Sequence, residues 1–239
     1  MDFINNLFID TEWTIAHKEK LAKYGGYDVI SDAAAISIFE SIVLPSLNDF
    51  VRLKKGLFAK QIETNIFHVL KFGQGKTTYQ FSWGVSLAYV PHQWDEDGCK
   101  FHRTLKSARP DLHDNEYNLR KDAPTPQNPP FSVDFFVGEM CFRDELVRAW
   151  KNLEPMIRDW LGSITTLDGV LNQSQFQINH YDRYRCHHPD PSLVKAFTLA
   201  RLGKFEDGLA VLEELMQSKS QFYASPALPE ALRQIPKFE

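Results

Sequence analysis

The most regular alternation of hydrophobic and polar positions lies in the segment from Thr78 to Val90. One face carries large apolar residues and the other carries small or polar ones; the apolar set is Tyr79, Phe81, Trp83, Val85, Leu87 and Tyr89. A period of two is typical of a half-buried β-strand. Two further strands are predicted before it, Leu57–Ile62 and Asn65–Phe72, and the short links between the three favour antiparallel hairpins. The stretch from Gly56 to Val90 is therefore predicted to be an antiparallel meander.

Helical periodicity surrounds this meander. We predict helices at Glu12–Tyr24, from a cap at Ser31 or Asp32 to about Pro45, and at Arg143–Ile164, which Pro155 divides in two. We also predict a strand at Phe131–Met140 and a further strand at Gln175–Tyr181. The aromatic face of the meander is expected to pack on the helix that contains Trp150 and Trp160.

The segment Pro91–Pro130 is rich in charge and proline and poor in periodic apolar residues. Connections of this length are uncommon within compact domains. We therefore predict a long surface insertion.

Near the C-terminus, helical spacing returns in two short segments joined by Gly203 and Lys204. Leu193–Leu202 and Phe205–Met216 are predicted to form a helical hairpin that resembles half of a tetratricopeptide unit. A single unit does not bury its own apolar face, so we expect it to dock on the main domain. The tail, Ser218–Glu239, contains three prolines and is expected to wrap the surface.

These elements predict an α+β fold, with an antiparallel sheet of about four or five strands packed against helices. The predicted division is an α+β domain at 1–185, with its insertion at 91–130, and a helical hairpin with its tail at 186–239.

Composition narrows the partners and the compartment. The 239-residue chain has a net charge of -4 and a pI near 6.1, which disfavours a nucleic-acid partner. Cys99, Cys141 and Cys186 are too few and too widely spaced for a disulfide framework, so a reducing compartment is expected. No secretion signal or membrane span is found, and a cytoplasmic location is predicted.

The order of helix, LPSLNDFVRLKKGLFAK, meander ending in FSWGVSLAYV, polar insertion, strand and ELVRAWKNLEPMIRDWLGSITTLDGVL resembles a bacterial family. It is similar, over about residues 36–171, to the domain-of-unknown-function family forty-three-oh-four, with Trp160–Leu171 as the counterpart of the leucine run that ends the family's closing helix. Some related domains belong to toxin–immunity loci. The resemblance implies the fold, and an immunity function as an expectation.

Three motifs resemble sites of chemistry, but the sequence favours an ordinary structural role for each. GQGKTT at Gly73–Thr78 imitates a phosphate-binding loop, but a strand, not a helix, is predicted after it. His92, Cys99 and His102, or Cys186, His187 and His188, contain metal-ligand residue types without paired close spacing. The acidic residues Asp111, Asp114 and Glu116, with Asp134 and Glu139, suit a nuclease-like metal site, yet Lys121 is on no convincing strand, and a solvated acidic loop is favoured. No catalytic residue, metal or cofactor is predicted.

The remaining candidate is a partner-binding surface. Trp94 precedes Asp95, Glu96 and Asp97, which joins an aromatic anchor to negative charge suited to a basic partner. Trp94 folded back onto the sheet is the alternative. The predicted surface comprises Trp94, Asp95, Glu96, Asp97, Asp111, Asp114 and Glu116.

The sequence thus favours a non-enzymatic protein-interaction module, such as an immunity protein that blocks a basic toxin domain. The alternative is an enzyme or small-ligand-binding domain between the sheet and the insertion, using Trp83, His68, His92 or Asp134. A third hypothesis is a regulatory module that acts through the helical hairpin, in which case deletion of Pro191–Glu239 leaves a folded core.

Overall fold

The computed structural model describes residues 19, 22–24, 30–47, 49–75, 78–116, 118–119, 133–134, 138–184 and 188–235. Most of the helix predicted at Glu12–Tyr24 and most of the proline-rich half of the predicted insertion lie outside these ranges. The candidate site residues Lys121, Cys186 and His187 also lie outside them.

The strands of the described chain belong to two sheets. They are β1 (Val51–Lys54), β2 (Leu57–Glu63), β3 (Ile66–Gln74), β4 (Thr78–Leu87), β5 (Pro91–Asp95), β6 (Gly98–Phe101), β7 (Leu112–Asn115) and β8 (Val133–Asp134). The main antiparallel sheet has the order β1-β2-β3-β4-β7, and β8 pairs with β4. β5 and β6 form a separate antiparallel hairpin. The predicted α+β class and antiparallel sheet are confirmed.

The labelled helices are α1 (Asp32–Val43), α2 (Glu139–Gly162), α3 (Leu167–Asn179), α4 (Tyr181–Tyr184), α5 (Pro191–Arg201), α6 (Phe205–Ser218), α7 (Ser220–Tyr223) and α8 (Ala227–Gln234). The Ser31 hydroxyl, one of the two predicted caps, accepts a hydrogen bond from Ala34 N at 3.1 Å and caps α1. A 3-10 turn that contains Pro45 then ends the helix. None of the helices in the described part of the chain has the length and apolar composition that a membrane span requires.

The chain forms two compact units, each with its own apolar packing. The first comprises the described residues within 1–50, 71–82 and 115–156. Its rings stack from α1 through the sheet to α2: Phe39 lies 4.3 Å from Phe72, Phe72 lies 4.9 Å from Phe81, and Phe81 lies 5.9 Å from Trp150. The predicted contact between the aromatic face of β4 and Trp150 is thus confirmed.

The second unit comprises the described residues within 51–70, 83–114 and 157–239. Val85 and Leu87 of β4 share one buried cluster with Phe197 of α5, Leu212 of α6 and Leu232 of α8. Trp160 is half-buried against this cluster. The C-terminal helices therefore supply part of the core of this unit.

Two predictions about α2 and α3 are wrong. Pro155 lies inside α2 and does not divide it, since Leu153 and Ile157 on either side are both fully buried and packing outweighs the lost backbone donor. Gln175–Tyr181 is helical, not a strand. The buried residues of α3, Val170, Ser174 and Gln177, recur at helical spacing.

The predicted surface insertion and surface tail are also corrected. The described part of Pro91–Pro130 contains the β5–β6 hairpin and β7, whose residues Leu112 and Asp114 are buried. The tail forms α7 and α8, and the buried residues Leu228, Ala231, Leu232 and Ile235 follow helical spacing. Pro226 and Pro229 stand at the start of α8, where a missing backbone donor costs little.

One strand was not predicted, and another differs from its predicted bounds. β1 was not predicted; it pairs with β2, where Val51 lies opposite Ala59. Of the strand predicted at Phe131–Met140, the structure describes β8, whereas Glu139 already begins α2. Most residues between these two elements lie outside the described ranges.

Candidate functional site

The β5–β6 hairpin presents three consecutive exposed carboxylates. Trp94 pairs with Cys99 and Asp95 pairs with Gly98, so Glu96 and Asp97 form the tip. Gly98 has a φ of 133°, a conformation that side chains disfavour, and Asp97 N donates to Asp95 Oδ1 at 3.0 Å. These local features produce a defined turn, and we name Asp95–Asp97 the acidic turn. Its three residues are exposed.

The hairpin is tied to the C-terminal segment by side-chain hydrogen bonds. Trp94 Nε1 donates to Phe222 O at 2.9 Å, and Ser225 Oγ donates to Asp95 O at 3.2 Å. On the other strand, Cys99 Sγ donates to Ala227 O at 3.5 Å. Because these bonds reach across about 130 positions of sequence, they hold the acidic turn in one place relative to α7 and α8.

The Trp94 ring packs against other residues of the same chain. Its ring stacks on Tyr223 at 5.0 Å and lies 5.4 Å from His188. The aromatic anchor predicted for a partner is therefore half-buried and folded back onto α7, not onto the sheet. The exposed carboxylates beside it remain accessible.

A pocket of about 820 Å³ opens next to this hairpin, and we name it the hairpin pocket. It is lined by His92–Trp94, Tyr181, His188, Asp190 and Ser218–Tyr223. β5 supplies one side, and the helix ends around α4, α5, α6 and α7 supply the others. Its volume lies within the range of small-molecule sites.

A lysine–aspartate pair provides the charge in this pocket. Lys219 donates to Asp190 Oδ2, while Asp190 Oδ1 accepts from Ser192 N at 2.8 Å and caps α5. The Lys219 ammonium also lies 4.5 Å from the centre of the Tyr181 ring. Burial alone would lower the pKa of Lys219, but hydrogen bonds with Asp190 and Tyr181 raise it. Lys219 is therefore charged at neutral pH.

The neighbouring tyrosine is kept neutral. Tyr223 Oη accepts a hydrogen bond from Asp190 N at 2.9 Å, which joins α7 to the start of α5. Burial raises the pKa of Tyr223 to about 12. Tyr223 thus serves as a fixed aromatic wall with no ionised group at neutral pH.

The histidines of the first predicted metal group lie close together, but with stacked rings. His92 and His102 have ring centres 3.5 Å apart and an interplanar angle of 14°. Cys99 donates its thiol hydrogen to a backbone carbonyl, and burial raises the pKa of this thiol to about 11. Within the described ranges, no group of three or more His, Cys, Asp or Glu residues is arranged to hold a metal ion. Of the second predicted group, the structure describes His188, which donates to His92 O at 3.2 Å.

Three acidic residues of the predicted partner surface are buried, which contradicts the solvated acidic loop. Asp111, Asp114 and Glu116 are 1%, 4% and 0% exposed. Asp111 Oδ2 accepts from Leu87 N at 2.6 Å, and burial raises its pKa well above the usual value. Asp114 accepts from Tyr184 Oη at 3.0 Å. These carboxyls are therefore internal polar groups and do not extend the acidic turn.

The residues predicted for an enzyme or ligand site do not share one opening. Trp83 and His68 are both buried, and His68 Nε2 lies 3.0 Å from Ile164 O. Asp134 pairs with Thr78 through the backbone of β8. Of that set, His92 lines the hairpin pocket. As predicted, the GQGKTT segment leads into a strand, since β4 begins at Thr78.

Sequence reasoning missed the pocket residues from the C-terminal helices. Tyr181, Asp190, Lys219 and Tyr223 carry no motif, and they meet β5 from positions about 90 to 130 residues further along the chain. The sequence signal for these pocket residues is the cluster of polar and aromatic residues that interrupts helical spacing after Met216.

Searches of protein-family models, curated proteins and solved structures found no match for this chain.

Proposed function

We propose that this protein is a non-enzymatic interaction module whose acidic turn docks on a basic surface of another protein. The observation that carries the proposal is the turn itself: three adjacent exposed carboxylates on a hairpin tied to α7 and α8. Concentrated charge accelerates association with a partner of opposite charge. A turn held in advance loses little conformational entropy on binding.

The finer proposal is that the partner is a toxin domain and that this protein is its immunity protein. It is supported by the resemblance to a family with relatives in toxin–immunity loci. A cytoplasmic location belongs to the same proposal and is supported by Cys99 and Cys141, which are present as thiols. Under this proposal, one equivalent of the protein abolishes the activity of the toxin.

The partner can be identified by site-specific photo-crosslinking. A photoreactive residue at Asp97 is expected to capture a basic protein in the native cells, whereas the same residue at Glu214, an exposed position on α6, is expected not to capture it. A partner that crosslinks equally from both positions, or no protein adduct from Asp97, would contradict the proposal.

Charge neutralisation then tests the mechanism with the captured partner. The double variant Glu96→Gln, Asp97→Asn is expected to slow association by about threefold to tenfold at low salt, with little effect near 0.5 M salt. The matched control, Glu213→Gln, Glu214→Gln, neutralises two exposed carboxylates on α6 and is expected to leave the rate unchanged. Surface plasmon resonance gives both rates. Equal association rates for the two double variants would contradict the proposal that the acidic turn binds the partner.

A further inference from the structure

We infer that the hairpin pocket binds a small ligand with a planar aromatic ring and one anionic group, a carboxylate or a phosphate. This site is separate in function from the acidic turn, because the lining residues from β5 are His92, Gln93 and Trp94, and none of the three exposed carboxylates is among them.

Aromatic side chains supply the ring-binding part of the site. Tyr181 and Phe222 line the pocket and are 47% and 65% exposed. Large apolar side chains at such exposure offer surface that a ligand can remove from water. Trp94 and Tyr223 stack on each other and supply a rigid wall, which suits a planar ring packed in offset geometry.

The charged side chains of the pocket favour a ligand with an anionic group. Asp190 is the only carboxylate among the described lining residues, and both of its oxygens already accept hydrogen bonds, from Lys219 and from Ser192 N. An ammonium has three N–H donors. Asp190 Oδ2 takes one of them, the ring of Tyr181 lies 4.5 Å from the ammonium, and the Lys219 side chain is 28% exposed. The exposed part of the ammonium can therefore donate to an incoming carboxylate or phosphate oxygen, while the negative charge of Asp190 is already paired with Lys219.

The size of the pocket sets the scale of the ligand. At about 820 Å³ it exceeds the volume of a single ring and accommodates a compound of nucleotide or aromatic-acid size. Next to Lys219 in the sequence, Ser218, Ser220 and Gln221 also line the pocket and offer neutral hydrogen-bonding groups. They suit the polar substituents of such a ligand.

Isothermal titration calorimetry with two matched pairs of probes tests this inference. Phenylacetate and adenosine monophosphate carry the ring and the anion, whereas phenylethanol and adenosine carry the ring alone. We expect at least one anionic probe to bind with a Kd below about 1 mM and its uncharged counterpart to bind at least about fivefold more weakly. Binding of phenylacetate alone identifies a carboxylate ligand, and binding of adenosine monophosphate alone identifies a phosphate ligand.

Variants locate the binding within the pocket. Tyr181→Leu removes an exposed ring, and Lys219→Gln removes the charge; each is expected to weaken binding of the anionic probe by about tenfold. The controls are Phe176→Leu, which removes a ring of similar exposure outside the pocket, and Lys204→Gln, which removes an exposed lysine outside it. Thermal unfolding of each variant accompanies the titrations. Because Tyr181→Leu leaves the Lys219–Asp190 pair intact, it keeps the test valid if Lys219→Gln fails to fold.

Three results would overturn the inference. These are no heat of binding from either anionic probe at about 5 mM, equal affinity for charged and uncharged probes, or unchanged affinity in Tyr181→Leu. None of them bears on the acidic turn, whose neutralised variants keep every residue of the pocket.

Discussion

At the scale of single residues, two buried polar side chains, His68 and Asp111, are paired with backbone atoms far away in sequence. His68 Nε2 donates to the carbonyl of Ile164, and Asp111 accepts from the amide of Leu87. Burial lowers the pKa of His68 and raises that of Asp111, so both side chains favour their neutral forms. Their role is structural, since an unpaired polar group in the interior costs free energy.

His102 gives a pH-dependent prediction. Burial, then His92 and Arg109, lower its pKa to about 4 from a usual value of 6.5. As the pH falls below 6.5 the unfolded chain binds a proton first, so folded stability is lost between about pH 6.5 and 4. In urea denaturation we expect His102 to account for about 1 to 2 kcal/mol of the loss between pH 7 and 4.5, after allowing for solvent screening.

The control for this measurement is His102→Gln, which does not titrate. The variant is expected to lose less free energy of unfolding over the same pH interval than the native chain. The same loss in both proteins would show that other groups account for the acid sensitivity.

At the scale of elements, the close approach of residues 110–113 to β4 depends on a glycine. A Cβ built on Gly84 would lie 2.3 Å from Leu112 O and 2.8 Å from His113 Cβ. No rotation of a side chain relieves a clash with a backbone oxygen, so this segment would have to move. The alternation in β4 indicated only that a small residue stands there; the packing of residues 110–113 explains why.

We therefore expect Gly84→Ala to lower the free energy of unfolding by about 2 to 4 kcal/mol. Gly73→Ala is the matched control in β3, because a Cβ there meets no atom within 4 Å. Its effect should be within about 1 kcal/mol of zero and of stabilising sign, since glycine weakens strands. Urea denaturation of both variants checks the prediction, and similar losses would argue against the close approach at Gly84.

At the scale of the whole molecule, the C-terminal segment contributes to the core of the second unit. Leu193, Phe197, Leu228 and Leu232 are fully buried in the same cluster as Val85 and Leu87. Deletion of Pro191–Glu239 would therefore remove core residues from this unit. We therefore expect this deletion to destabilise the unit, whereas the third hypothesis predicts that it leaves a folded core.

Point substitutions in α8 test this role of the segment. Leu232→Ala is expected to lower the free energy of unfolding by about 2 to 5 kcal/mol, because the fully buried side chain leaves a cavity. Arg233→Ala, at the adjacent exposed position, is expected to change it by less than about 0.5 kcal/mol. Thermal or urea unfolding measures both variants. If Leu232→Ala leaves the free energy of unfolding unchanged, α8 lies on the surface and does not support the core.

Local pattern was sufficient for much of the fold. The aromatic face of β4, the Ser31 cap of α1 and the two helices α5 and α6 were all predicted, because each depends on residues within a few positions of one another. β1 and β7 were missed, since each is only four residues long and too short to show a reliable period. Of the residues at the candidate site, the sequence had singled out the acidic turn, His92, Trp94 and His188.

The sequence by itself therefore determined the apolar face of β4, where α1 and α6 begin, and the charge of the acidic turn. Tertiary structure alone decided that Trp94 folds onto Tyr223, that Asp111 and Asp114 are buried, and that Lys219 meets Asp190 beside Tyr181. The physical reason is range: periodicity reports a residue's orientation relative to its own element, whereas burial and pairing depend on which distant segment packs against it.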